Sequence, residues 1–136
     1  MDGHEICKHV ANLDESGTNR EVVLKKDTLQ QLFDLQKQLQ KRIYGVDLPA
    51  VDYELLVIQV TGLVAELGEV LGADKNWKMW KRTKVPVNSQ HVIEEIADMW
   101  HFLINITLTL GFDADDVVEN FITKNKVNHE RQDKHY

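Results

Sequence analysis

Two pairs of acidic residues are spaced to act together. Glu66 and Glu69 are three apart, and so are Glu95 and Asp98. Residues three apart on a helix share a face, so each pair projects as a unit. Their neighbours are apolar: Leu63, Val64 and Leu67 around the first pair, Val92, Ile93, Ile96 and Met99 around the second. Carboxylates gathered beside a buried stripe do not stand as bare anions, because desolvation and mutual repulsion both disfavour it. They are protonated, paired with bases or bridged by cations. An all-oxygen donor set suits a hard ion, and Mg²⁺ is held by a few carboxylates while it keeps waters and takes substrate phosphates. Glu66, Glu69, Glu95 and Asp98 are therefore candidate metal ligands, with Glu94 either a further ligand or a solvent-facing neighbour. A di-iron bundle is disfavoured, since its Glu-x-x-His motif is absent from the sequence. The plain alternative is that the acids are solvated surface charges. One such pair is common on any helix; two on adjacent helices are more telling.

The elements that must position these acids are helical. Asp27-Thr28-Leu29-Gln30 reads as a capping box, followed by Leu29, Leu32, Phe33, Gln36, Leu39 and Ile43 at helical spacing and a stop at Gly45. Gln36 lies on that apolar stripe, an unusual place for an amide. A second helix is expected from near Pro49 to near Gly72, carrying Gly62 and Gly68, which permit close packing by a neighbour, a dimer partner included. A loop over Ala73 to Ser89 holds Trp77 and Trp80 among Lys75, Lys78, Lys81, Arg82 and Lys84. A third helix is expected from Gln90 to Leu110, capped by Ser89 and ended by Gly111. A fourth starts after the N-cap Asp113, with Val117, Val118, Phe121 and Ile122 facing inward and a polar, basic end. Four helical segments with short connections predict an all-α fold, a four-to-five-helix bundle. Residues 1–24 form an N-terminal arm without clear periodicity, in which Val22-Val23-Leu24 reads as a short strand or a docking segment. Residues 25–136 form the helical domain.

Composition narrows the function classes. The formal net charge of −6 argues against coating duplex nucleic acid or an anionic membrane. The single cysteine, Cys7, allows neither an internal disulfide nor a thiolate metal cage, so a reducing, cytoplasmic setting is the default. Met1 to Asn12 lacks the pattern of a signal peptide. The stretch from Ala97 to Phe112, read as the longest apolar one, is too short to span a bilayer, which takes about 20 residues.

With these elements in place, the chain resembles a known family. Glu66-x-x-Glu69, then a tryptophan-containing loop, then Glu95-x-x-Asp98 is similar to the metal signature of the all-α NTP pyrophosphatases, the group of MazG-like enzymes and dimeric dUTPases. Lys78-Met79-Trp80-Lys81 resembles the Lys-x-Trp-Lys loop of the dimeric dUTPases. Asp98-Met99-Trp100-His101-Phe102 resembles their Asp-x-x-His-Phe continuation. Lys124-Asn125-x-x-Asn128-x-x-Arg131-Gln132, closing with Tyr136, resembles their C-terminal phosphate-binding segment, and Leu32-x-x-Leu35-Gln36-x-x-Leu39 their first helix. The resemblance covers about residues 28–136. It departs at His135, where glycine is expected before the final tyrosine, and in a short connection between the third and fourth helices.

The resemblance implies Mg²⁺-dependent hydrolysis of dUTP to dUMP and pyrophosphate by a homodimer, with residues from both subunits near each site. Glu66 is then the expected general base, with Glu66, Glu69, Glu95 and Asp98 around the metal. Lys78, Lys81, Lys124 and Arg131 would balance phosphate charge, and Asn125, Asn128 and Tyr136 would donate hydrogen bonds to it. Trp80 would stack on the base, Gln36 would read the uracil edge, Phe102 would lie near the sugar and His101 against the nucleoside. Each has a bland counterpart: core or interface for Trp80, a satisfied core residue for His101 and Gln36, a solvated helix end for Lys124 to Lys134. A dCTPase or a broader MazG-like pyrophosphatase is the nearest rival. A helical interaction module with decorative acids is the rival of another class, and a regulatory protein partner stays open.

Overall fold

The structure, a computed structural model, describes the backbone of residues 9–13 and 19–23 and residues 27–134 in full. In the N-terminal arm, β1 (His9–Leu13) and β2 (Asn19–Val23) pair antiparallel, with Val10 opposite Val22. The strand reading of Val22 and Val23 therefore holds. Four helices follow: α1 (Thr28–Tyr44), α2 (Tyr53–Ala73), α3 (Ser89–Thr109) and α4 (Ala114–Asp133), with one 3₁₀ turn at Lys75–Trp77. The fold is all-α, as expected of a helical bundle.

Local chemistry explains the boundaries. Gly45 ends α1 in the left-handed conformation at φ 71°, where only glycine is unstrained. Asp113 caps α4 in a reciprocal box with Asp116. Two expected starts differ, while α1 begins after Asp27 as expected but without the expected capping box. The Asp27 side chain caps nothing, and Gln30 turns to Asp34 instead, at 3.0 Å. α2 starts at Tyr53 rather than near Pro49, because residues 50–52 are engaged elsewhere. Ala50 N–H and Asp52 N–H donate to the Leu108 and Thr109 carbonyls, and the Asp52 carboxylate caps Leu55 N–H at 2.9 Å. Asn88, not Ser89, caps α3, its amide oxygen accepting from Gln90 and His91 N–H.

The longest shared face is that of α2 on α3. Gln59 meets Asn105, and Gly62 lies against Phe102. Residue numbers rise on one helix as they fall on the other, so the two run antiparallel. A Cβ at Gly62 would fall inside the Phe102 ring, so this glycine admits an aromatic ring of the same chain. Gly68 has no atom within 4 Å of where its Cβ would stand. The apolar core is small: Phe33, Leu48, Leu55, Ile104, Leu108 and Ala114.

Two apolar faces point outward. On α1 the buried positions are Phe33, Gln36 and Gln40, while Leu32, Leu35, Leu39 and Ile43 are exposed. On α4, Ala114 is buried and Val117 half-buried, but Val118, Phe121 and Ile122 are exposed, contrary to the inward orientation expected from periodicity. The reason is geometric: among the described helices α4 packs against α1 alone, so nothing lies beneath its apolar stripe. α2 also departs from expectation, since by length and composition it could cross a bilayer, with mean hydropathy 1.6 over its most apolar window. It is a longer apolar run than Ala97 to Phe112, though Gln59, Glu66 and Glu69 interrupt it.

α4 is pinned to α1 by Lys37, whose Nζ lies 2.6 Å from Asp113 Oδ2 and 3.4 Å from Asp34 Oδ1. Burial works against the Asp113 charge, but hydrogen bonds from Lys37 and the Ala114 N–H, with the lysine's charge, hold its carboxyl below the ordinary 3.8. A carboxyl lowered in this way stabilises the fold above pH 3.8 and ceases to do so as pH falls through the lowered value. Asparagine keeps the helix cap and removes the charge. Asp113→Asn is therefore expected to lose about 1 kcal/mol at neutral pH, a value discounted for partial exposure of the pair. In urea unfolding that deficit should shrink below pH 3.8.

Candidate active site

Antiparallel packing of α2 on α3 brings the two acid pairs together. Glu66, Glu69 and Glu95 each offer a carboxylate oxygen within 4.8 Å of the others. Glu95 is nearly buried, Glu66 half-buried and Glu69 exposed. Asp98 lies outside this trio, but its charge is felt at Glu66. Desolvation raises the Glu66 carboxyl above its ordinary value, and the charges of Glu69, Asp98 and Glu95 push it the same way. The site is thus a concentration of negative charge that favours either a proton or a cation.

The donor set fits a hard divalent ion. Octahedral Mg²⁺ with bonds of about 2.1 Å places adjacent ligands about 3 Å apart and opposite ones about 4.2 Å apart, so the three oxygens would draw together around the ion. Two of the candidate ligands are themselves held: His91 Nδ1 lies 3.2 Å from Glu95 Oε1, and His101 Nδ1 lies 3.4 Å from Asp98 Oδ1. Such outer contacts orient ligating carboxylates. Glu94 faces solvent and accepts from Gln90 at 3.0 Å, which makes it a neighbour of the cluster and not a member.

A cavity of about 370 Å³ opens beside the acids between α1, α2 and α3. Its size is within the range of small-molecule sites, roughly 300–1,000 Å³. It gathers five of the residues singled out in the sequence: Gln36, Glu66, Asp98, His101 and Phe102. Carboxylates, an aromatic ring and amides thus share one concave surface, able to hold a charged group beside a flat polar one.

The structure does not bring the remaining expected residues to this cavity within one chain. Trp80 is 71% exposed and meets Trp77 edge-on, with ring centroids 5.5 Å apart. Lys78 places its ammonium over the Trp77 ring at 5.4 Å, and Lys81 is exposed. Asn76 folds this loop back, donating to the Val85 carbonyl and accepting from Val85 N–H, both at 3.0 Å. Lys124, Asn125, Asn128 and Arg131 stand exposed on α4, and none lines the cavity. Tyr136 lies outside the described residues.

Besides Tyr44, three cavity amides were missed by sequence reasoning: Gln40, Gln59 and Asn105. All are buried, at 3%, 1% and 3% exposure, and with Gln36 they form a hydrogen-bonded chain of four amides. The available signal was an amide in an apolar setting, which Gln36 displayed and which Gln59 and Asn105 repeat within apolar helices.

Comparison with known proteins bears on this arrangement. A family described as dUTPase matches the chain over residues 28–111 and 103–136. The chain is similar to the dCTP pyrophosphatase of Enterobacteria phage T4, with 27% identity over 145 residues, covering 82% of this chain and 84% of that protein. It is also similar to a DNA replication protein of the same phage, with 24% identity over 135 residues, covering 74% of this chain and 34% of that protein. No solved structure matches.

Crowded acids have a direct thermodynamic consequence. Without metal, Glu66→Gln relieves repulsion and should raise the melting temperature above that of the wild type. Added Mg²⁺ should stabilise the wild type by about 2–3 kcal/mol at a hundred-fold excess over Kd, and the variant much less. Calorimetry with and without Mg²⁺ reads both. A wild-type melting temperature indifferent to Mg²⁺ would reduce the cluster to ordinary surface charge.

Proposed function

The chain belongs to this dUTPase family, and on that premise we propose that it hydrolyses dUTP to dUMP and pyrophosphate with the help of Mg²⁺. At the coarser level it is a nucleoside triphosphate pyrophosphatase, a hydrolase of nucleotide metabolism. The observation that carries the proposal is the shared cavity, lined by Glu66 and Asp98 together with Gln36, His101 and Phe102. A nucleotide requires both kinds of group, carboxylates that could hold metal against its phosphates and amides and a ring for its nucleoside.

Bound Mg²⁺ would neutralise the triphosphate and polarise the attacked phosphorus. Glu66 is the proposed general base. Half-buried and surrounded by acids, its carboxylate holds a proton more tightly than a free one, which suits it to take a proton from water as the oxygen attacks the α-phosphorus. The bond to the β-phosphate then breaks, and pyrophosphate leaves. Phe102, packed over Gly62 and lining the cavity, would lie near the sugar. A second reading, dCTP, is favoured by the similarity to the phage dCTP pyrophosphatase over most of both chains.

We further propose a homodimer. The outward apolar residues of α2 include Tyr53 and Ile58 and a row of Val57, Val60, Val64, Leu67 and Leu71, which alternate three and four apart, the spacing of a helix–helix seam. Leu32, Leu35, Leu39 and Ile43 add a second outward stripe on α1. A second copy would cover these faces, and its α4 would carry Lys124, Asn125, Asn128 and Arg131 to acids that the chain's own α4 does not reach. The tryptophan loop, with Trp80, Lys78 and Lys81, would close on the same ligand.

Two measurements test these readings. Pyrophosphate release from a panel of deoxy- and ribonucleoside triphosphates, with and without Mg²⁺, should show selective, Mg²⁺-dependent hydrolysis of dUTP. Preference for dCTP would transfer the assignment to the second reading, and inertness toward every nucleotide would favour a non-catalytic interaction module. For the shared site, Glu66→Gln and Lys124→Ala chains should each be nearly inactive. Mixed after dissociation, they should recover about a quarter of wild-type activity, because random pairing rebuilds one intact site in half of the dimers. No recovery on mixing would place α4 and the acids in the same subunit.

A further inference from the structure

The four buried amides form a chain with a direction. Gln36 Nε2 donates to Asn105 Oδ1 at 2.7 Å, Asn105 Nδ2 donates to Gln59 Oε1 at 2.9 Å, and Gln59 Nε2 donates to Gln40 Oε1 at 3.1 Å. Gln36 Nε2 also lies 3.4 Å from the His101 backbone carbonyl. That carbonyl can only accept, so it requires the nitrogen of Gln36 to face it. Every amide downstream is then set in turn, because reversing one would place two oxygens or two N–H groups face to face.

The direction leaves a defined remainder at each end. Gln36 has its carbonyl oxygen left over, and Gln40 has its amide nitrogen. Neither atom is given another partner among the described residues, and no fully buried side-chain polar atom there lacks one. Both side chains line the cavity that holds Glu66 and Asp98. One face of α1 therefore offers an acceptor from Gln36 and, one turn on, a donor from Gln40.

We propose that this relay sets the base selectivity of the enzyme, with Asn105 and Gln59 as positioning residues that lock the polarity of the amides that meet the base. The proposal rests on the reading of the cavity as a nucleotide site. Uracil and cytosine have the same shape and differ at their edge: uracil has N3–H beside O4, and cytosine has a bare N3 beside an amino group. A freely rotating glutamine turns its amide over and serves either base. A glutamine locked in series with three others cannot, because turning it breaks the whole row within a desolvated interior where each unmade bond is costly. Discrimination then comes from residues that do not touch the base.

The test is the ratio of kcat/KM for dUTP and dCTP, whichever the wild type prefers. Gln59→Met keeps the volume and removes both hydrogen bonds, which frees Gln40 to turn while the His101 carbonyl still holds Gln36. It should move the ratio about ten-fold toward unity, the worth of one buried hydrogen bond. Gln59→Glu keeps an acceptor for Asn105 but offers Gln40 an oxygen in place of an N–H, so Gln40 turns and presents its own oxygen to the cavity; its ratio should move at least as far as that of Gln59→Met. Both substrates are assayed on the same preparation, so incomplete folding cancels from the ratio. A wild-type ratio in Gln59→Met, with both activities merely lowered, would overturn the proposal by reducing the relay to a structural element. A wild-type ratio in Gln59→Glu would overturn it too, since the polarity of Gln40 would then not matter. Wild-type inactivity on both pyrimidine nucleotides would instead sink the parent reading.

Discussion

The register of α2 on α3 is the constraint from which the rest of the site follows. The hydrogen bond between Asn105 and Gln59 and the seat of the Phe102 ring over Gly62 lie at successive levels of one antiparallel pair. A glycine at position 62 is the local condition for that closeness, since a methyl group there would occupy the ring's place. One turn further along, the same register brings Glu66 and Glu69 to Glu95. The acids are therefore not free to avoid one another. Helices that gain by packing oblige charges that lose by meeting, a conflict that a bound cation would resolve.

The interior of this chain is unusually polar for its size. Its core holds six apolar residues, and beside them lie four buried amides and a nearly buried glutamate. Buried amides are tolerated when every donor finds an acceptor, and here no fully buried side-chain atom is left unpaired among the described residues. The counterpart is an apolar exterior. Leucines and valines that would ordinarily fill a core stand outward on α1, α2 and α4. A polar inside with an apolar outside is the pattern of a chain whose second core forms between copies, which fits the proposed homodimer and the remoteness of α4 from the acids.

Much was legible in the sequence. Four helices were visible because apolar residues recur at helical spacing and because Gly45 and Asp113 carry unambiguous end signals. The acid cluster was visible because three-residue spacing commits two side chains to one face whatever the rest of the fold does. Helix starts were less legible where two capping residues compete, as Asn88 and Ser89 do, or where a segment has a tertiary use, as residues 50–52 have beside the end of α3. Periodicity marked the stripe of α4 as apolar but not what it faces, since an apolar stripe looks the same beneath its own chain or a partner's.

What the sequence by itself determined is thus local: which residues are helical, which share a face, and that two acid pairs exist to be brought together. Those properties depend on backbone geometry and on near neighbours. What the tertiary structure alone decided is which amides meet. Gln36, Gln40, Gln59 and Asn105 come from three helices and lie up to 69 residues apart, and an amide has no spacing rule that announces its partner. Hydrogen-bond direction is a property of the assembled row, set by a single backbone carbonyl at His101, and no shorter stretch of the chain contains it.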